Sequence, residues 1–363
     1  SPQSIIGNAQ SGITDNIVNT SVEPDLKILP VVNDGIYEFH LVYEVTVETT
    51  GKMPGKYYTL ADAHTGDILY RQNRVHTTIN LTLEGTITDN PNSPTYVAGL
   101  PDAEVVINAS TYYTDLLGNL TTADNASVTA NFALEGPYAI VYQGQTGSNL
   151  ATFSATLNPG SNTVSFDANA DNTEITGFYH TNKIHEHLKT WTPAGFTSMD
   201  NPMVVRVDRT DGDCNAFYNG SINFYAAGGG CPATVLFSDV IYHEYAHGIN
   251  YAFYSYLGGA FGNGALGEGY ADIWAISLSE DPVLALGFTG PVSSYIRRYD
   301  IDPKVYPQDL VGQVHADGEI IAGAWWDLGL IFDSIPQMMD IFIGTHFATL
   351  SEPDGNEGVL YRD

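Results

Sequence analysis

The chain has 363 residues, enough for two or three compact units whose core needs no covalent staples. Its 42 acidic and 13 basic residues give a formal net charge of −29, a field that repels phosphate backbones and excludes nucleic acid as an expected partner. Only 15% of residues are charged and 43% are hydrophobic, which excludes a disordered chain, and no stretch approaches the ~20 uninterrupted apolar residues of a membrane helix.

The first 35 residues are polar and poorly periodic and predict only partial order. From Ile36 to about Val75 the sequence alternates in strand fashion (YEFHLVYEVTVETT, KYYTLADA, GDILYRQNRV) with Gly51, Pro54, Gly55 and Gly66 at the turns, which predicts a small antiparallel sheet. From Thr77 to about Phe166 short strands separated by Asn, Pro, Gly and Ser turns make the next part β-rich. Around Asn172 the register changes: Ile175, Phe178, Tyr179, Ile184 and Leu188 recur at helical spacing. A strand over Met203 to Val207 follows, then a second helix with Val240, Ile241, Tyr242, Ala246 and Ile249 on its apolar side. From Ala265 onward helices dominate, and Trp325 and Trp326, at helical spacing with Ile321, Leu328 and Leu330, are expected in the core rather than as a sugar platform. The order of these elements predicts an α+β fold. The absence of a leader at Ser1 predicts a removed leader or an excised fragment, and the apolar ending EGVLYRD predicts that the natural chain continues beyond Asp363.

Abundant Tyr, Gly, Thr, Asn and Ser suit a secreted protein. Cys214 and Cys231 flank an Asn/Gly/Tyr-rich stretch and in an oxidising compartment would pair, closing a loop worth ~3 kcal/mol; the alternative is two inert thiols. The charge excess reads as a solvated face suited to saline or calcium-rich surroundings.

The pentapeptide His243-Glu-Tyr-Ala-His247 on the second helix carries the chemistry. Residues four apart on a helix face the same way with Cβ atoms ~5–6 Å apart, so two imidazoles converge on one metal at ~2.0–2.1 Å. Glu244 then sits beside the ion, in the place of a base acting on a water there. Catalytic zinc takes three protein ligands, and Glu268 in Leu266-Gly-Glu-Gly-Tyr-Ala-Asp272 is the natural third. Asp272, four residues on, is placed to accept the outer N–H of a ligating histidine. His180, His185 and His187 lack this spacing and are expected to face solvent or pack at a lobe boundary.

With HEYAHG followed by LGEGYAD, the chain resembles the thermolysin-like gluzincin metallopeptidases, and within them the fungalysin branch. The resemblance implies a two-lobed zincin with a β-rich N-terminal lobe over 76–255 that ends in the metal helix, and a helical C-terminal lobe over 256–363. Residues 80–165 are read either as the start of the catalytic lobe or as an inserted β-sandwich. Upstream, LVYEVTVETT and YYTLADAHTGDILYRQNRV look like the end of a PepSY/FTP-like pro-region. This implies that residues 1–75 are the C-terminal part of a propeptide, cut from the enzyme between Arg74 and Thr78 and acting as its partner.

By the same resemblance, Asn215-Ala-Phe-Tyr-Asn-Gly-Ser221 is similar to the family's substrate-binding edge strand, which gives Asn215 and Ala216 a role in holding peptide. Arg298-Tyr-Asp-Ile-Asp302-Pro303 is similar to the segment whose arginine binds the substrate carbonyl, and Val314-His315 to the one whose histidine stabilises the oxyanion. Val240 is expected to line the pocket for an apolar side chain after the scissile bond. Family relatives bind calcium near the metal helix, for which Asp239 is the matching ligand, with Glu280 and Asp281 nearest. The chain departs from the pattern in having Gly267 before the third ligand, and its oxyanion tyrosine has three eligible positions: Tyr254, Tyr256 and Tyr306. The expected function is a secreted, monomeric zinc metalloendopeptidase acting on proteins and peptides and made as a zymogen. The alternatives are a zinc exopeptidase, which would need a group to hold a free amino terminus, and a surface or adhesive protein with an inert metal site.

Overall fold

The computed structural model describes residues 2–14, 16–33, 35–50, 55–74, 78–124 and 126–349. Residues 75–77 of the expected cleavage junction, the turn residues Gly51 and Pro54, and the closing segment from 350 onward lie outside the described residues. The chain forms two units, one made of residues 1–80 with the short segments 121–128 and 157–162, the other of the remainder. The second unit takes residues 81–120, 129–156 and 163–363, and so most of the 80–165 region and all that follows it.

The first unit begins with helix α1 (Pro2–Gln10), followed by strands β1 (Asn16–Val22), β2 (Lys27–Asn33), β3 (Ile36–Thr50), β4 (Gly55–Asp62) and β5 (Ile68–Asn73). All pair antiparallel in one sheet of order β1-β3-β4-β5, with β2 also on β3. In β3 alternate residues Val45, Val47 and Thr49 are buried, the two-residue period of a half-covered strand. Ile5 and Ala9 of α1 pack on Val45, Val47 and Ala61 of this face. The Arg71 guanidinium donates to the carbonyls of Asn8, Ala9 and Ser11, satisfying acceptors that the end of α1 leaves open. The expectation of partial order before residue 36 is thus corrected. A nine-residue helix is too short to be stable or legible alone, and α1 exists because the sheet covers its few apolar residues.

The β-rich part comprises β6 (Ile79–Ile87), β7 (Tyr96–Gly99), β8 (Glu104–Ile107), β9 (Ser110–Tyr113), β10 (Asn119–Thr122), β11 (Val128–Ala133), β12 (Ala139–Gln143), β13 (Thr152–Leu157) and β14 (Gly160–Ser165). Strands β13-β11-β8-β9 form one sheet. Helix α2 (Asn172–Trp191) starts at a capping box between Asp171 and Glu174. It is followed by β15 (Met203–Arg209), β16 (Ala216–Tyr218) and β17 (Ile222–Tyr225). These complete a mixed sheet of order β12-β15-β17-β16, in which β12, β15 and β17 run parallel and β16 is an antiparallel edge. Cys214 and Cys231 are disulfide-bonded, tying down the chain that enters this edge.

Helices α3 (Ser238–Tyr256) and α4 (Gly264–Ser279), the short pair β18 (Val283–Leu284) and β19 (Arg297–Arg298), and helices α5 (Val314–Phe332) and α6 (Ile335–Thr349) complete the described residues. The chain is therefore α+β, with six α-helices among the described residues, and none of them is long and apolar enough to cross a membrane. Trp325 and Trp326 are buried as expected, whereas Leu330 is exposed, because α5 presents only one face to its neighbours. His180 and His185 are fully buried rather than solvent-facing: His180 bonds the Tyr242 hydroxyl and the Thr88 carbonyl, and His185 stacks on Tyr138.

Candidate metal site

Helix α3 places His243 and His247 one turn apart, with their Nε2 atoms 3.1 Å from one another. Asn263, whose side chain accepts from the Leu266 N–H, caps α4 and starts the helix that delivers Glu268. Glu268 carboxylate oxygens lie 3.4 Å from His243 Nε2 and 3.8 Å from His247 Nε2. Tetrahedral ligands ~2.0–2.1 Å from one ion stand about 3.3 Å apart, and one ligand atom from each of the three residues lies within 4.8 Å of the others, near enough to share one ion. Glu268 Oε2 is buried without a hydrogen-bond partner, and the two imidazole nitrogens stand close enough to share a proton or a metal ion. The trio is thus a group able to hold a metal ion.

The surrounding charges act on the same point. Against the penalty of burial, Arg297 and His243 hold the Asp272 carboxyl well below the usual carboxylate range. His243 donates from Nδ1 to Asp272 at 2.6 Å, which turns its Nε2 lone pair toward the trio. Arg297 grips Asp272 with bonds of 2.6 and 2.8 Å, and the Tyr299 hydroxyl donates to the same carboxylate. Burial would lower the His243 imidazole, but Asp272 and Glu268 raise it to about 10; burial and the charge on His243 push His247 down to about 3. One positive charge is therefore favoured where the ligand atoms meet. Glu244, buried on the cleft side of α3, has its carboxyl pushed by burial up to about 7.

Glycines bring α5 against α4. A Cβ on Gly269 would stand 2.2 Å from Ile321 Cγ2, and one on Gly318 would stand 2.8 Å from the Ala265 carbonyl. This contact sets His315, one turn before Gly318, with Nε2 3.4 Å from Glu268. Gln313 caps α5 and its side-chain amide donates to His315 Nδ1, leaving the imidazole proton on Nε2, toward the cleft. A cavity of about 120 Å³ beside the trio is bordered by Asn215, Ala216, Val240, Glu244, Arg297 and His315, together with apolar Leu284, Phe288 and Ile296.

The expected residues thus converge, with two differences. Arg298 does not enter the site: it pairs with Asp300 at the surface, and Arg297 takes the inner place. Successive side chains of a strand point to opposite faces, so in β19 one arginine goes in and the next goes out; the motif spacing selected the wrong one of two neighbours. None of the eligible tyrosines borders this cavity: Tyr254 is buried in the core, Tyr256 packs against Phe196 and Tyr306 is exposed. Asp239, the residue matched to a calcium ligand, lies on α3 outside the trio. Through Oδ2 that carboxylate accepts from the Ala285 N–H, its buried Oδ1 has no hydrogen-bond partner and burial pushes the group up to about 7, while Asp281 caps the Val283 N–H. The sequence reading missed Arg297 and Tyr299, whose only signal was their place beside the chosen Arg298. The chain matches no model of a known protein family and no curated protein, so the chemistry of the site rests on its geometry.

Proposed function

We propose that this chain is a secreted zinc metalloendopeptidase of thermolysin-like, fungalysin-related type, with residues 1–75 as part of its pro-region. The observation that carries the reading is the trio His243, His247 and Glu268 with the buried carboxyl of Glu244 beside it and an open sheet edge alongside. Zinc, when held by the trio, supplies Lewis-acid polarisation of the scissile carbonyl and of a water.

The chain's own groups do the rest. Asn215 and Asn219 are hydrogen-bonded to the β17 side, so alternation turns the main chain of Ala216 and Tyr218 outward to pair with an extended peptide. Val240, with Leu284, Phe288 and Ile296, receives an apolar side chain after the scissile bond. Glu244 takes the proton of the attacking water on its carboxylate and delivers it to the leaving amine. His315, through Nε2–H, and Arg297, through its guanidinium, donate to the oxygen on which negative charge develops. Asp272, Arg297 and Tyr299 keep His243 in one orientation.

The test is zinc stoichiometry together with cleavage of internally quenched peptides. Glu244→Gln is expected to keep one zinc per chain and to lose cleavage by at least ~10²-fold, the scale of a lost acid–base catalyst. Zinc bound without any cleavage that depends on Glu244 would leave an inert, adhesive role standing instead.

A further inference from the structure

Two cavities rest on α3, one at each end of the trio. The first, of about 120 Å³, touches Val240, His243 and Glu244; the second, of about 160 Å³, touches His247, Tyr251, Phe261 and Glu268. The mechanism above uses only the first.

Two aromatic rings, Tyr251 and Phe261, form one side of the second, and the rest of its lining is Asn250, Asn263 and glycine backbone beside His247 and Glu268. The Tyr251 ring stacks on Tyr218, with centroids 6.0 Å apart and planes at 22°, and meets Phe261 edge-on at 6.1 Å. Tyr251 is 54% exposed, so this ring pair presents apolar surface rather than filling the core. A space of about 150 Å³ holds a benzene molecule, so the second cavity accepts an aromatic ring, and the smaller first one suits a branched aliphatic chain.

Strand β16 relates the two. It starts at Ala216, on the first cavity, and ends at Tyr218, whose ring lies on Tyr251 at the second. A peptide adding to this edge antiparallel, the pairing that is more stable per residue, runs from the second cavity toward the first. Residues before the scissile bond then pass Tyr251, and those after it pass Val240. Both cavities lie over α3 and so meet the same face of the peptide, on which side chains recur every second residue. The residue just after the bond and the second residue before it form such a pair.

We infer that Tyr251 and Phe261, with Tyr218 stacked behind, form a specificity subsite that selects an aromatic side chain at the second residue before the scissile bond. The inference rests on the endopeptidase reading and adds the substrate class to it.

The full chain loaded with zinc is given internally quenched peptides that differ only at that residue. Phe or Tyr there is expected to raise kcat/KM about tenfold over Ala, in line with what apolar pockets discriminate. Tyr251→Ser is expected to bring this ratio close to one while the preference after the bond is retained. Tyr251 is half exposed, so the variant leaves the core intact; Phe261→Ala gives a second reading of the same wall. Equal rates for Phe and Ala in the wild type, or a preference that survives Tyr251→Ser, overturn the inference. So does a Tyr251 effect on residues after the bond, since this reverses the peptide direction. Binding of the Phe and Ala peptides to Glu244→Gln, followed by calorimetry, separates the two readings. Phe-selective binding that depends on Tyr251, without cleavage by the wild type, supports the aromatic site and removes the endopeptidase reading; absence of both overturns both.

Discussion

Replacing Arg297 by alanine is expected to damage the protein far more than the same change at Arg298. The Arg297 side chain is 7% exposed and holds Asp272, itself 1% exposed, through two bonds of 2.6 and 2.8 Å. Its loss leaves a buried carboxylate with only His243 and Tyr299 as partners, and breaking one side of a buried pair costs about 3–5 kcal/mol. Because Asp272 orients His243, zinc affinity should also fall about 10–100-fold. Arg298 and its partner Asp300 both remain hydrated at the surface, so Arg298→Ala is expected to leave the unfolding midpoint and zinc affinity unchanged within error. Urea unfolding and zinc competition against a chromophoric chelator read the two effects separately. Losses for Arg298→Ala equal to or larger than those for Arg297→Ala would refute the assignment of the inner arginine.

Two further outcomes are expected. Burial lowers His185 and His187 to about 4 against ~6.5 in the unfolded chain, so the unfolded state binds protons that the native state refuses. Stability should therefore fall as pH drops from about 6.5 to 4, by up to about 3 kcal/mol for each histidine, and His187→Gln should remove its share of that slope in thermal unfolding across this range. If His187→Gln leaves the slope unchanged, the half-buried His187 does not contribute to it. Gly269→Ala places a methyl 2.2 Å from Ile321 Cγ2 and 2.7 Å from the Gly318 carbonyl, which should cost about 1–3 kcal/mol and, by moving α5, draw His315 away from Glu268. Activity lost in proportion to that shift, with zinc binding retained, would support the role of the helix contact; full activity would argue against it.

Parts of the site were legible because their chemistry depends on short-range spacing. The turn of a helix brings His243 and His247 together whatever the rest of the chain does, and the same period puts Glu268 and Asp272 on one face of α4. The edge strand was legible as a motif, and the mixed sheet leaves its outer side open. The choice between Arg297 and Arg298 was not legible, since a one-residue change of register in a two-residue strand reverses which side chain is buried. Nor was the order in residues 2–14 and 16–33, where α1 and two strands are held by contacts far along the chain, such as those from Arg71 to the end of α1.

By itself, the order of residues determined an α+β chain rich in acid and able to bear a His-His-Glu centre on two helices, because helical and strand periods act over a few neighbours. Only the tertiary structure decided that Glu268 meets both imidazoles, that Arg297 rather than Arg298 braces Asp272, and that an aromatic wall stands at the far end of α3. Those outcomes depend on how closely α4 approaches α5 at Gly269 and Gly318, and on which face of β19 turns inward. Such distances arise from packing between segments remote in sequence, and local periodicity carries no record of them.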